Sequence, residues 1–203
     1  MGALTLFLVA ILPLMRQPHH RYSWRQYVEV DDESERKIEF FEGAMYAMAG
    51  GTPEHSALKV NYTSELRQQL IGKPCRVYDS DLRIRVEATG LGAHPDATVV
   101  CGDLKRDPDS KTTVLNPIVL VEVLSDSTED YDRGAKFDNY RRITTLQEYV
   151  LVSQREQLVE VFHRTDSDVW TRTEARTHAS VRLESIDCVL DVDRLYDGVE
   201  LDS

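Results

Sequence analysis

Residues 118–124 read IVLVEVL, apolar at every position but one, and this run constrains the fold more than any other part of the chain. A run this short, unbroken and rich in β-branched residues marks a strand covered on both faces, as in the middle of a parallel or mixed sheet. Side chains alternate along a strand, so Glu122 points to the same side as Leu120 and Leu124. An ionised carboxylate left alone there costs several kcal/mol. Glu122 must therefore be neutralised, paired with a cation such as Arg83 or Arg85, or bound to a metal.

Around that strand, local signals place the other elements. Ser23 and Gln26 have capping-box spacing, so a helix starts there. The stretches 37–41 (KIEFF) and 44–48 (AMYAM) flank Glu42-Gly43, a hairpin turn. Thr52 as N-cap and Pro53 at the first helical position open a helix that runs to about Leu70 and stops at Gly72. Leu82, Ile84 and Val86 alternate with Arg83 and Arg85, which reads as a half-buried strand with a basic outer face. After a glycine loop at 90–92 and His94-Pro95-Asp96 comes a strand at 97–100. The polar segment 102–116 reads as a surface excursion. A Ser/Asp/Thr-rich turn leads from Leu124 into a helix at 132–142, followed by a hairpin at 149–153 and 158–164 and a further strand at 169–172. The order predicts an α/β or α+β domain with a mixed central sheet flanked by helices and hairpins towards both ends.

The length of 203 residues suits one domain over 22–203, preceded at 1–21 by a disordered tail or over-extended start. The apolar run at 3–15 is too short to span a bilayer and lacks the charge and cleavage pattern of a secretory signal, so no membrane partner is expected. Cys75, Cys101 and Cys188 are far apart and odd in number. They fit core thiols in the reducing cytoplasm rather than a zinc site. The net charge of −11 argues against tight metal-free binding to nucleic acid, while clustered carboxylates that hold a metal would contribute to it.

Three residues carry the chemistry. Pro95 limits the backbone before Asp96, which sits where the chain enters its strand. If strands 97–100 and 118–124 are neighbours, Asp96 and Glu122 approach closely. Two such charges repel unless a divalent cation lies between them, and Mg²⁺ (or Mn²⁺) takes one or two carboxylates plus phosphate oxygens. Taken alone, Asp96 reads first as a turn residue. Lys136, with Arg133 and Tyr140 on one helix face, can stabilise charge on a reacting phosphate; Arg133 reads better as a solvated base. No phosphate-binding Gly-rich loop, His-Glu-x-x-His, Gly-x-Ser-x-Gly or dinucleotide fingerprint occurs, which disfavours nucleotide-hydrolysing, zinc-protease, serine-hydrolase and dehydrogenase classes.

Pro95-Asp96, the segment 121–128 (VEVLSDST) and the segment 132–140 (DRGAKFDNY), with 38–43, 50–55 and 80–83 upstream, resemble the Uma-two family of nucleases. The resemblance implies the restriction-endonuclease-like fold of the PD-(D/E)XK superfamily and metal-dependent hydrolysis of DNA. Carried over by position, it makes Asp96 and Glu122 metal ligands, Lys136 the catalytic lysine and Glu39 an accessory carboxylate, with no role fixed for His55. Leu124 stands where the superfamily has its lysine, so Lys136 must act from the helix, and His94 stands where relatives often carry an aromatic. A homodimer is expected from the need to cut two strands. The competing expectation is a catalytically weak or inactive nuclease-fold protein acting as a nucleic-acid-binding or regulatory homodimer.

Overall fold

The computed structural model describes residues 21–166 and 168–201, so the tail or start expected over 1–21 lies, apart from Arg21, outside the described residues. Front-end signals hold. Ser23 caps α1 (Trp24–Glu33), its Oγ accepting the Gln26 N–H while Gln26 Oε1 accepts the Ser23 N–H. β1 (Ile38–Phe41) and β2 (Ala44–Ala47) pair about Glu42 and Gly43, whose φ values of 49° and 83° are the left-handed pair a two-residue hairpin turn demands. Thr52 caps α2 (Pro53–Gln69) by accepting the His55 N–H.

The remaining strands are β3 (Cys75–Asp79), β4 (Arg83–Val86), β5 (Leu91–Ala93), β6 (Ala97–Cys101), β7 (Arg106–Asp107), β8 (Ser110–Val114), β9 (Val119–Leu124), β10 (Glu148–Ser153), β11 (Leu158–Asp166), β12 (Val169–Arg176), β13 (Ser180–Leu183) and β14 (Cys188–Asp191). Between β9 and β10 lies a helical segment: α3 (Glu129–Tyr131), a π-helical turn (Asp132–Lys136) and α4 (Phe137–Tyr140). α5 (Val192–Leu195) comes last. The α+β class with mixed sheets flanked by helices stands as read, but the strands divide between two six-stranded sheets and a separate β13–β14 hairpin. The first sheet has the order β2-β1-β5-β4-β8-β7 and the second β12-β11-β10-β9-β6-β3.

β9 is in the interior of the second sheet, parallel to β10 and antiparallel to β6. Val119, Val121 and Val123 pack with Leu58, Tyr62 and Leu66 of α2 and with the C-terminal hairpin and α5. Leu120 and Leu124 pack on the other side with Tyr140, Leu146 and Tyr149 and with Ile84, Val86 and Leu91 of the first sheet. Both faces are covered, which is why the strand reads as an unbroken apolar run.

Four local readings are corrected. The segment 102–116 is not a bare excursion: its polar strands β7 and β8 form one edge of the first sheet, with β8 parallel to β4. The glycine loop at 90–92 is largely strand, because β5 joins β1 to β4. Helix starts at Glu129 rather than Asp132 and widens into the π turn. Cys75 and Cys101 are not free thiols. They face each other across the β3–β6 register and are joined as a disulfide, while Cys188 is a buried thiol. No helix among the described residues is long and apolar enough to cross a membrane.

Arg83 is a further correction, since it is buried rather than on a basic outer face. Its guanidinium lies 2.6 Å from Asp31 Oδ2 and 2.5 Å from Asp32 Oδ1 and covers the Tyr27 ring at 5.2 Å. Asp31 also accepts the Ile38 N–H at 2.8 Å and lies 2.8 Å from His94 Nε2. These contacts tie α1 to the first sheet. Burial opposes ionisation of Asp31, but the His94 hydrogen bond and the charges of His94 and Arg83 outweigh it and hold its pKa below the usual carboxylate value.

Asp31→Asn leaves Arg83 short of its buried partner and is expected to cost about 3–5 kcal/mol at pH 7. A depressed carboxylate pKa stabilises the fold fully above the unfolded value of about 4 and loses that contribution as pH falls through the folded value. Urea unfolding at pH 7 and pH 3 checks this: the gap between wild type and variant should be wide at pH 7 and narrow at pH 3.

Candidate functional site

Glu122 projects from the face of β9 that meets the helical crossover, and is 3% exposed. Its Oε1 accepts a hydrogen bond from the Tyr140 hydroxyl at 2.9 Å and lies 3.0 Å from Lys136 Nζ. The same ammonium stands 3.0 Å from Glu39 Oε1 and 3.2 Å from Asp132 Oδ1, between the rings of Tyr131 and Tyr140. Glu39 reaches it because β1 turns Ile38 and Phe40 towards Trp24 and Tyr27, leaving the alternate position to face Lys136. Asp132 reaches it because the π turn begins with this aspartate and ends with the lysine, four residues on. π turns recur at functional sites.

The charges are unbalanced, with three carboxylates on one ammonium and all four groups buried. Burial first, and then the charges of Asp132, Asp96 and Glu39, push Glu122 up to about 8 against the pull of Lys136. Asp132 is raised by burial and by Glu39. Burial would lower Lys136, but Glu122 and Glu39 keep it well above its ordinary value, hence charged. Glu39 Oε1 and Asp132 Oδ1 lie within ion-pair distance of the ammonium, yet neither has a well-aligned hydrogen-bond donor.

Asp96 immediately precedes β6. The pairing of Ala97 with Val121 puts it beside Glu122 in the antiparallel register, as expected of neighbouring strands. Its carboxylate, however, is held from a different direction. Oδ2 accepts the Val123 N–H at 2.9 Å and lies 3.2 Å from His55 Nε2, and Oδ1 lies 2.9 Å from Lys59 Nζ. Burial opposes its charge, but the His55 hydrogen bond and the charges of His55 and Lys59 prevail and hold it at about 2. Each of the two facing acids thus has its own cation. Among the described residues, no group of three or more His, Cys, Asp or Glu side chains is arranged around a metal position.

The arrangement brings together Glu39, Glu122 and Lys136, with Asp96 adjacent, and adds residues the sequence reading left out. Asp132 and Lys59 belong to the site, and both had a local signal. Asp132 is four residues before Lys136, and Lys59 is four residues after His55, on one helix face. Gly51 makes room for His55, since a Cβ there would lie 2.6 Å from the imidazole Nδ1. Arg133 is not a solvated base; it lies 2.5 Å from the buried Glu160 and 2.8 Å from Glu129. The alternative partners considered for Glu122 are engaged elsewhere, Arg83 with Asp31 and Arg85 with Asp107 at 2.7 Å.

The chain has relatives among known proteins. The Uma2 family model, described as "Putative restriction endonuclease", matches residues 24–192. The uncharacterized protein slr1290 of Synechocystis sp. is 34% identical over 182 residues, covering 90% of this chain and 95% of that protein. The uncharacterized protein sll1609 of the same organism is 30% identical over 149 residues, covering 73% and 84%. A crystal structure from Anabaena variabilis, described as "a putative nuclease belonging to DUF820", superposes with a TM-score of 0.70 at 17% identity, over 86% of this chain and 97% of that one. At that identity the structural match bears on the fold alone.

Removing the ammonium should be worse than removing one acid. Lys136→Met leaves the buried acids Glu39, Glu122 and Asp132 without a cation and is expected to cost about 3–5 kcal/mol, whereas Glu122→Gln replaces a carboxyl that at about 8 is already mostly protonated at pH 7 and should cost less than half as much. Urea midpoints at pH 7 test the order; equal losses would mean that the ammonium is not the keystone of the cluster.

Proposed function

From the premise that the chain belongs to the Uma2 family, whose description is "Putative restriction endonuclease", we propose that it is a metal-dependent endonuclease hydrolysing phosphodiester bonds in DNA. The observation that carries this reading is the surplus of buried acidic groups around Lys136, beside a further acid in register on the adjoining strand.

The residues fit a hard divalent cation in their donor chemistry. They offer carboxylate oxygens in excess of the positive charge present, and two of those oxygens lack an aligned donor. Asp96 and Glu122 would hold Mg²⁺ (or Mn²⁺), with Asp132 and Glu39 as accessory acids. When bound, such an ion polarises a phosphoryl oxygen and lowers the pKa of a water. Around it, Lys136 orients the attacking water and offsets charge growing on the phosphoryl oxygens. Tyr140 fixes the Glu122 carboxylate through its hydrogen bond, and His55 and Lys59 fix Asp96. The water oxygen gives up a proton to solvent as it bonds to phosphorus, the bond to the sugar oxygen breaks, and the departing oxygen takes up a proton from solvent.

Cutting both strands of a duplex needs two such sites, which a homodimer would supply. Cellular DNA as substrate sets the activity in the cytoplasm, where the Cys75–Cys101 bond has to persist against reduction. A second reading, a nuclease-fold protein that binds nucleic acid without strong catalysis, is favoured by the burial of Glu122, Asp132 and Lys136, each at most 4% exposed.

Plasmid incubated with Mn²⁺ should be cut by the wild type. Asp96→Ala, Glu122→Gln and Lys136→Ala should each lower the rate by roughly 10²-fold or more. Calorimetry should find a single Mn²⁺ site that is lost in Glu122→Gln. Equal cutting by all four proteins would remove these residues from the chemistry. Mn²⁺ binding without cutting would favour the second reading.

A further inference from the structure

Beside the Asp96 end of the site, two lysines converge on one serine. Lys37, just before β1, donates from Nζ to Ser80 Oγ at 2.6 Å, and Lys59 of α2 donates to the same oxygen at 3.0 Å. The two ammonium nitrogens are no farther apart than the sum of those distances, and at that range they repel each other. Both lone pairs of the Ser80 oxygen are taken up by the lysines, which leaves its proton as the remaining hydrogen-bonding capacity. Ser80 is 8% exposed and its peptide oxygen lies 3.0 Å from His94 Nδ1, so the hydroxyl is held in place. The lysine side chains keep 33% and 25% of their surface, and Lys37 lines a cleft of about 270 Å³ with Asp81, Arg83 and His94.

Lys59 also serves the buried Asp96, whereas Lys37 meets no buried acid. Lys59 has one carboxylate neighbour, Asp96, which His55 and the Val123 N–H also hold. Lys37 has Asp81, whose carboxylate lies 2.9 Å away on a side chain that is 84% exposed. A carboxylate on so exposed a side chain holds Lys37 only weakly, so an incoming anion can compete with it. Of the other acids lining the cleft, Asp31 is engaged by Arg83 and His94 and Asp32 by Arg83, and Glu35 is the third.

We infer that Lys37, Lys59 and Ser80 form a phosphate subsite, with Asp81 as a resident placeholder that substrate displaces. Lys59 bridges Ser80 and Asp96, so the phosphate held here adjoins the reacting one along a nucleic-acid strand. Which phosphate of a strand it holds rests on the nuclease reading above; the anion site itself does not. The subsite selects a polyphosphodiester, since a mononucleotide cannot fill both positions.

Inorganic phosphate titrated into the full chain without metal, followed by backbone amide NMR, tests this directly. Saturable shifts are expected at Ser80, Asp81 and Leu82. Asp81→Asn removes the competing carboxylate and should tighten phosphate binding roughly two- to five-fold, the range of one exposed ion pair. Lys37→Ala should weaken it about ten-fold, and Lys37→Arg should restore most of the loss. A purely structural role for these residues predicts no gain in Asp81→Asn, and an unchanged or weaker affinity there overturns the subsite. So do shifts that are scattered or fail to saturate. If phosphate binds as expected but no plasmid is cut, the subsite stands and the nuclease reading falls. If plasmid is cut and Asp81→Asn leaves both the KM for DNA and phosphate binding unchanged, the subsite falls and the nuclease reading stands.

Discussion

One ammonium group joins most of this molecule's separate parts. Lys136 touches Glu122 in the second sheet, Glu39 in the first sheet and Asp132 within its own helical turn. The two sheets share no strand, so this contact and the apolar cluster around Leu120, Tyr140 and Ile84 together define how they meet. Burying four ionisable groups is expensive, and a hydrophobic replacement of similar volume would often be as stable. What the ionic version adds is direction. Apolar packing tolerates rotation and slippage, whereas an ammonium at about 3 Å from three carboxylates fixes three backbone segments against one another.

The sequence exposed those parts of the architecture that local rules decide. The Ser23–Gln26 box, the Thr52-Pro53 start and the Glu42-Gly43 turn are each made by residues a few positions apart, and all three appear as expected. The unbroken run of β9 also announced itself, because covering both faces removes the alternation that a half-exposed strand would show. Elements whose side chains look polar for distant reasons were hidden. Ser110–Val114 reads as loop, yet it pairs with β4 and carries Thr113, which accepts from Arg83. Arg83 itself follows perfect alternation, and what lies on its side of the strand is Asp31, 52 residues earlier in the chain. Cys75 and Cys101 are 26 residues apart, and only the β3–β6 register sets them face to face.

The candidate site divides along the same line. Glu122 was legible because a carboxylate inside an apolar strand is an anomaly in any fold. Lys136 and Tyr140 shared its helix face by spacing alone, and both do reach it. Asp132 and Lys59 were equally visible as i, i+4 partners of Lys136 and His55. Such pairs are common on solvated helices, however, and only the nonlocal acids Glu39, Glu122 and Asp96 give these two their meaning. Arg133 shows the converse, since its partner Glu160 comes from a strand no helical rule could supply.

Asp96 and Glu122 occupy facing positions, yet their surroundings drive them apart. At the α2 end, Asp96 has two cationic partners to itself and stays ionised, at about 2. Further into the core, Glu122 shares one ammonium with two other acids and is pushed up to about 8. A pair of like groups with such different proton affinities is the usual mark of divided roles in a reacting site. It also bears on how a chain of net charge −11 could engage a polyanion. Screening limits the reach of the exposed charges to about 8–10 Å in physiological salt, so the balance of charge at the point of contact matters more than the total. Beside the site, Lys37 and Lys59 converge on Ser80 with part of their side chains exposed, while the acid surplus around Lys136 lies in the core.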